Sequence, residues 1–373
     1  MSSQPPRPPL TADTAPGAAI PEIWPKRPLA HRAGFASGDN DAVKVAALRN
    51  LDEAAEHFAQ GRWLEAMPLV DHACKASRHA LLGAAWSAFA REDCIIHPVR
   101  EFLHQDPFTR RSFQKPRGHA GDAVLIDYMY GMTHAEHELA DATPVGRWIH
   151  NYTTNTHAPR AVRRRMHVIA EMIDRVCIER RHARILSVAS GHVRELLFSH
   201  AVRAGVVEEV VAFDQDARSL AEAEATTGST ALKTMQGSIA RLIVGRYDLS
   251  DFDLVYTAGL FDYVDERAGK RLVKTMFDML KPGGRLLVGN FLNDIEDIGY
   301  MESFMGWNLV FRTREQIASL ADGIESGIGA MRYFEESERN IGFLLVTKAG
   351  RGRFWARGVR KAGRPRTNAC PCK

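Results

Sequence analysis

Asp214 ends an apolar run, Glu209-Val-Val-Ala-Phe, and an earlier run, Arg184-Ile-Leu-Ser-Val188, empties into Ala189-Ser190-Gly191. Small residues after a strand let backbone N–H groups meet a ligand at the C-terminal edge of a sheet. An acid at the end of the next strand, with Gln215 beside it, can accept hydrogen bonds from both hydroxyls of a ribose. The turn is expected to open a helix that carries Glu195. Its one glycine, Gly191, falls short of the three in the dinucleotide fingerprint. The ligand expected is therefore a nucleoside without a pyrophosphate, such as S-adenosylmethionine (SAM). Gly237 and Ser238, after the run Leu232–Gln236, stand where an adenine edge would lie, and Ala258 follows the run Phe252–Thr257.

A second group of reactive types precedes this one. Residues 97–122 are dense in turn formers and charge, and loops on a rigid scaffold often carry function. Within and after this loop come Arg117, His119, Asp122, Asp127, Tyr128 and Tyr130. Of these, His119, Asp122, Tyr128 and Tyr130 are the candidate catalytic groups, although each tyrosine also suits half-buried packing. His134 and His137 share a helical face, but a zinc site needs further ligands that the neighbourhood does not supply. Cys370-Pro-Cys372 offers two ligands, too few for a metal. No metal is expected.

The elements that must position these residues follow from periodicity and punctuation. Residues 1–38 are rich in Pro, Ala and Gly and read as a disordered segment. Residues 39–182 read as a helical lid or substrate region. Val43, Leu48, Leu51, Ala54 and Phe58 recur at helical spacing, Gly61 breaks the pattern, and a hairpin or dimer contact suits such a face. A long helix carries Val162, Met166, Ile169, Ile173 and Val176 on one side, with Arg163, Arg164 and Arg165 mostly outside. Residues 183–348 alternate strands with helices, which implies a parallel, doubly wound α/β sheet of Rossmann-like type. Two further strands, near 330–334 and 341–347, are close enough in sequence to pair antiparallel. Residues 349–373 form a basic tail with eight Lys/Arg and no acid.

Composition narrows the class. The chain has 373 residues, 45% of them hydrophobic and 25% charged, and a formal net charge of +4. Without its tail the body is slightly acidic, so nucleic acid is not the expected partner. No apolar run reaches the length of a membrane span, and the N-terminus lacks the apolar core of a signal peptide. Cys74, Cys94 and Cys177 stand apart, which fits a reducing cytoplasm without a disulfide framework.

The Asp214 strand end, Gly237-Ser-Ile239, and Lys281-Pro-Gly-Gly284 before a fifth strand together resemble the class I SAM-dependent methyltransferases over residues 183–348. The usual Gly-x-Gly turn is here Ala189-Ser190-Gly191, followed by His192. A narrower likeness rests on Asp106-Pro-Phe-Thr-Arg-Arg, Lys115-Pro-Arg-Gly-His-Ala-Gly-Asp122, Ala258-Gly-Leu-Phe-Asp-Tyr263 and Asn290-Phe with Gly299-Tyr-Met-Glu302. Over residues 97–348 these resemble the bacterial subfamily named for biosynthesis of 3-hydroxypalmitic acid methyl ester, a quorum signal. That resemblance implies SAM as substrate and O-methylation of a small or fatty-acid carboxylate in secondary or signal metabolism. An ionised carboxylate needs no general base. It needs a donor to orient it, Arg117 or His119, and an apolar channel, for which Met129, Met132, Phe304, Met305 and Trp307 are the candidates. The subfamily likeness also admits a cyclase that closes SAM to azetidine-2-carboxylate and methylthioadenosine. That reaction would need Asp122, Asp127, Tyr128 or Tyr130 to take a proton from the amine. A third reading is a protein that binds SAM without reacting.

Overall fold

The computed structural model describes residues 40–132 and 139–350. His134, His137, the segment 1–38 and Cys370–Cys372 lie outside the described residues. The described residues belong to one compact unit.

The centre of the molecule is a seven-stranded sheet in the order β3-β2-β1-β4-β5-β7-β6. Its strands are β1 Arg184–Val188, β2 Glu209–Asp214, β3 Leu232–Gln236, β4 Phe252–Thr257, β5 Leu280–Phe291, β6 Ile328–Glu335 and β7 Ile341–Lys348. The first five run parallel, and β7 pairs antiparallel with both β5 and β6. This is the Rossmann-like architecture expected, closed by an antiparallel pair. Position in the sheet explains the side chains. Every residue of central β4 is buried, as a strand covered on both faces requires, whereas edge strand β3 has no fully buried residue.

β5 begins before Lys281-Pro-Gly-Gly284 rather than after it. Phe252 of β4 pairs with Leu280, but Leu254 pairs with Arg285, so residues 281–284 bulge opposite Asp253. Gly283, with φ of +73°, takes the left-handed turn that a side chain would resist, and Lys281 Nζ donates to Asp253 at 2.7 Å.

Two sets of contacts tie the front helices to one another and to the helix after β5. Helix Trp63–Ala80 crosses helix Ile298–Ser303 at Gly299, where a Cβ would stand 2.5 Å from the Cys74 carbonyl oxygen, so only glycine permits this approach. Glu302 accepts from Arg78 Nε at 2.7 Å and from Trp86 Nε1 at 2.5 Å. Asp106 caps helix Pro107–Gln114 through Phe108 N and Thr109 N and also accepts from His150 Nδ1 and Thr153 Oγ1. The motifs Asp106-Pro-Phe-Thr and Gly299-Tyr-Met-Glu meet where the Thr109 and Tyr300 hydroxyls lie 3.0 Å apart, which joins the front helices to the helix after β5. The helix His157–Glu179 buries Val162, Met166, Ile169, Ile173 and Val176 as expected. It also buries Arg165, which is 4% exposed, although the three arginines were expected mostly outside.

Candidate functional site

A cavity of about 490 Å³ opens at the carboxyl ends of β1, β2 and β4, within the range of small-molecule sites. Its floor is the turn after β1. Ala189, Gly191 and Val193 there have φ of +52°, +55° and +46°. A left-handed β-branched residue is strained and persists only where its surroundings fix it. Here Ser190 N donates to Phe213 O at 3.1 Å, Gly191 N to Asp214 Oδ2 at 2.8 Å, and Val193 N to Ser190 O at 3.2 Å. A Cβ on Gly191 would come within 3.2 Å of the Ala123 methyl, so glycine also lets helix Ala123–Tyr130 close over the turn. The helix expected after this turn is only a 3₁₀ turn, Arg194–Leu197, because Val193 turns the backbone out of helical geometry.

Asp214 ties two loops together. Its second oxygen accepts from Asp216 N at 2.9 Å, and each oxygen keeps a further lone pair for a ligand. Ser190 lines the cavity, and its buried Oγ has no hydrogen-bond partner among the described residues. Such an orphan beside a strained loop points to a ligand as its partner.

Of the residues singled out from sequence, Ala189, Ser190, Gly191, Glu195, Asp214, Gln215, Ala258, His119 and Tyr130 line the cavity. Gly237 and Ser238 do not; Ile239 does. The Phe213 and Tyr247 rings cover Gly237, and Ser238 caps helix Ile239–Ile243 while its N–H donates to the Tyr247 hydroxyl at 3.0 Å. Asp122 and Tyr128 also lie away from the lining. Asp122 caps helix Ala123–Tyr130 through Leu125 N and takes a two-point contact from Arg111 at 3.0 and 2.9 Å. Tyr128 packs edge-on against Phe108 and His150. Both therefore have structural work.

The charged lining divides into paired and reactive groups. Asp127 accepts from Arg194 Nε at 2.9 Å, Arg194 Nη2 at 2.7 Å and His192 Nδ1 at 2.7 Å. Burial alone would raise its carboxyl, but hydrogen bonds from Arg194 and His192 outweigh burial and hold it at about 2. Arg117 donates to Asp216 at 2.8 Å and to Ser219 at 2.9 Å. Glu195 accepts the Tyr256 hydroxyl at 2.6 Å, and burial raises its carboxyl. Burial pushes the Tyr130 phenol up to about 12, so it stays protonated near neutrality.

Among the lining residues that were not sequence candidates are Arg165, Asp262 and Tyr263. Asp262 is 2% exposed. Its Oδ1 accepts Phe291 N at 2.8 Å, and burial pushes its carboxyl up to about 7 against the pull of Arg165, the Phe291 N–H and Arg312. Trp307 Nε1 donates to the Tyr263 hydroxyl at 2.8 Å, and His119 stands edge-on to Tyr263. Asp262 and Tyr263 could have been found from sequence, since both lie in the Ala258–Tyr263 motif that follows β4.

Residues 185–284 match a family described as a methyltransferase domain (Methyltransf_25). That span runs from β1 to the β5 bulge. Among solved structures, the chain is similar to a possible exported protein from Bordetella parapertussis, with 15% identity, 84% of this chain and 98% of that one covered, and a TM-score of 0.48. It is also similar to magnesium protoporphyrin IX methyltransferase from Synechocystis PCC 6803, with 9% identity, 51% and 86% covered, and a TM-score of 0.39. A third is the N-methyltransferase NodS from Bradyrhizobium japonicum WM9, with 13% identity, 50% and 97% covered, and a TM-score of 0.35. No curated protein matches the chain. Among the described residues no helix is long and apolar enough to cross a membrane, and no cluster of His, Cys, Asp and Glu could hold a metal ion.

Proposed function

We propose that this cavity binds SAM and that the chain transfers the methyl group to a small-molecule acceptor. The observation that carries this reading is the coupling of Asp214 to the Gly191 amide beside the unpartnered Ser190 hydroxyl. Asp214 and Gln215 would take the ribose, Ile239 the adenine face, and the turn after β1 the methionyl end. The sulfonium is already a good leaving group, so the protein has to align a nucleophile behind one carbon and exclude water.

A long fatty acid suits this cavity poorly. Of the residues read as its channel, Met129, Phe304 and Met305 are buried in packing, Met132 is half-buried, and Trp307 alone of the five reaches the lining. A compact acceptor fits better. The same compactness favours a second reading, closure of SAM's own side chain to azetidine-2-carboxylate with release of methylthioadenosine, because that reaction needs no acceptor channel.

Calorimetric titration with S-adenosylhomocysteine (SAH) tests the shared cofactor site. Saturable binding by the wild type that Asp214→Ala abolishes is expected. A wild-type protein that binds neither SAM nor SAH would end the reading.

A further inference from the structure

Charge in the cavity is lopsided. Arg117 is committed to Asp216, and Arg194 to Asp127 and Glu222. That leaves Arg165 on the lining, with Arg312 behind Asp262, to balance Glu195, Asp214 and Asp262. Arg165 itself donates to the Ala258 carbonyl at 3.2 Å, and its buried Nε has no hydrogen-bond partner among the described residues. An incoming carboxylate would meet excess negative charge at low dielectric, whereas an ammonium beside the sulfonium would be drawn in.

Asp262 is built to receive a proton there. Its Oδ1 is pinned by the Phe291 amide, which fixes the carboxyl plane. Gly259 leaves room for Arg165 beside it: a Cβ at that position would stand 3.1 Å from Arg165 Nη1, and in ordinary contact, 3.5 Å, with Asp262 Oδ2. Glu195 is the weaker base, because the Tyr256 hydroxyl donates to its charged form.

We propose that Asp262 is the proton acceptor of the reaction, and that the nucleophile it serves is an amine arriving as its ammonium rather than a carboxylate. This rests on the cofactor reading above. The Asp262 carboxylate takes one N–H proton, and the freed lone pair forms the new C–N bond. The C–S bond breaks with its electrons going to sulfur, leaving a neutral thioether. The charged and titrating groups packed around Asp262 are Arg165 from the long helix, Tyr263 beside it and Arg312 after β5. Arg312 is occupied by the carbonyls of Phe261 and Val264, each at 2.6 Å. A carboxyl raised to about 7 by burial is matched to proton transfer near neutrality.

The probe is sinefungin, an SAH analogue with an ammonium in place of the transferred methyl, titrated beside SAH into wild type and Asp262→Asn. In wild type at pH 8, sinefungin should bind about tenfold tighter than SAH, the worth of one charge-assisted hydrogen bond. The gap should narrow as pH falls through about 7, a readout that needs no variant. Asp262→Asn should erase the gap and lower turnover about a hundredfold or more. Equal affinities in wild type, or a gap that survives the substitution, would overturn the proposal. Failure of both ligands to bind wild type would instead strike the cofactor reading beneath it. Methylthioadenosine from SAM alone would assign the amine to SAM itself. SAH formed only when ethanolamine or another primary amine is added would assign it to a separate acceptor. A methyl ester formed from 3-hydroxypalmitate would refute the amine.

Discussion

Changing Asp214 to Asn removes one acceptor oxygen and leaves the shape intact. In the native protein the two oxygens accept from Gly191 N at 2.8 Å and Asp216 N at 2.9 Å. The amide of Asn can satisfy one of these donors, and its NH₂ must then face the other N–H. A charge-assisted hydrogen bond contributes about 1.5–3 kcal/mol, and an unpaired buried donor has a comparable cost. The variant should therefore lose about 2–3 kcal/mol of stability. Affinity for SAH should fall by about 10- to 100-fold, because a ribose hydroxyl loses a charged acceptor and the strained Ala189–Val193 turn loses its tether. Urea titration gives the first quantity. Calorimetry below the unfolding midpoint gives the second on folded protein. Lost stability with undiminished SAH affinity would refute the reasoning, since Asp214 would then staple two loops and have no part in binding.

Three further outcomes follow from the same contacts. Asp127→Asn strips the buried Arg194 of its two-point partner and should cost about 3 kcal/mol, toward the lower end for a broken buried pair because Glu222 remains at 2.8 Å; denaturant unfolding showing under 1 kcal/mol would contradict a structural role. The Asp262 carboxyl, raised from 3.8 to about 7, binds its proton more tightly in the folded than in the unfolded chain. Its contribution to stability is fully present below about 4 and is lost as pH rises through about 7, amounting to at most about 4 kcal/mol. Asp262→Asn should flatten that part of the stability–pH curve, and an unchanged slope between pH 4 and 7 would count against the buried carboxyl. Gly121→Ala would drive a methyl into the Tyr263 hydroxyl and to 2.9 Å from the Trp307 ring. Overpacking of this kind costs about 1–3 kcal/mol, and a shift in tryptophan emission should report the broken Trp307–Tyr263 bond; an unperturbed spectrum would argue otherwise.

The strands were legible because their signal is local. Apolar runs ending in Ala189-Ser190-Gly191 and in Asp214 mark the sheet edge directly, and much of the cavity wall follows from them. What eluded the sequence is decided by partners distant in the chain. Arg165 stands in a row of three arginines, and one-dimensional spacing cannot tell the guanidinium that points at Ala258 O from its neighbours. Arg164, an exposed neighbour, instead reaches Glu338. Val193 gives no hint of its left-handed backbone, since the cause is the Phe213 carbonyl and the Asp214 carboxylate holding the preceding residues.

Asp122 and Asp262 show why residue type alone misplaces chemistry. Both are buried acids in segments rich in glycine and aromatic residues. Asp122 receives the Leu125 amide and a two-point arginine contact, so its charge is satisfied and its oxygens are occupied. Asp262 receives one amide, and the nearby Arg312 is occupied by carbonyl oxygens. The reactive acid is the under-satisfied one, because only a carboxylate whose charge is poorly compensated gains from taking a proton. By that criterion Asp127, with three donors from Arg194 and His192, belongs with Asp122 although it touches the cavity. The proton-transfer role falls to the acid after β4.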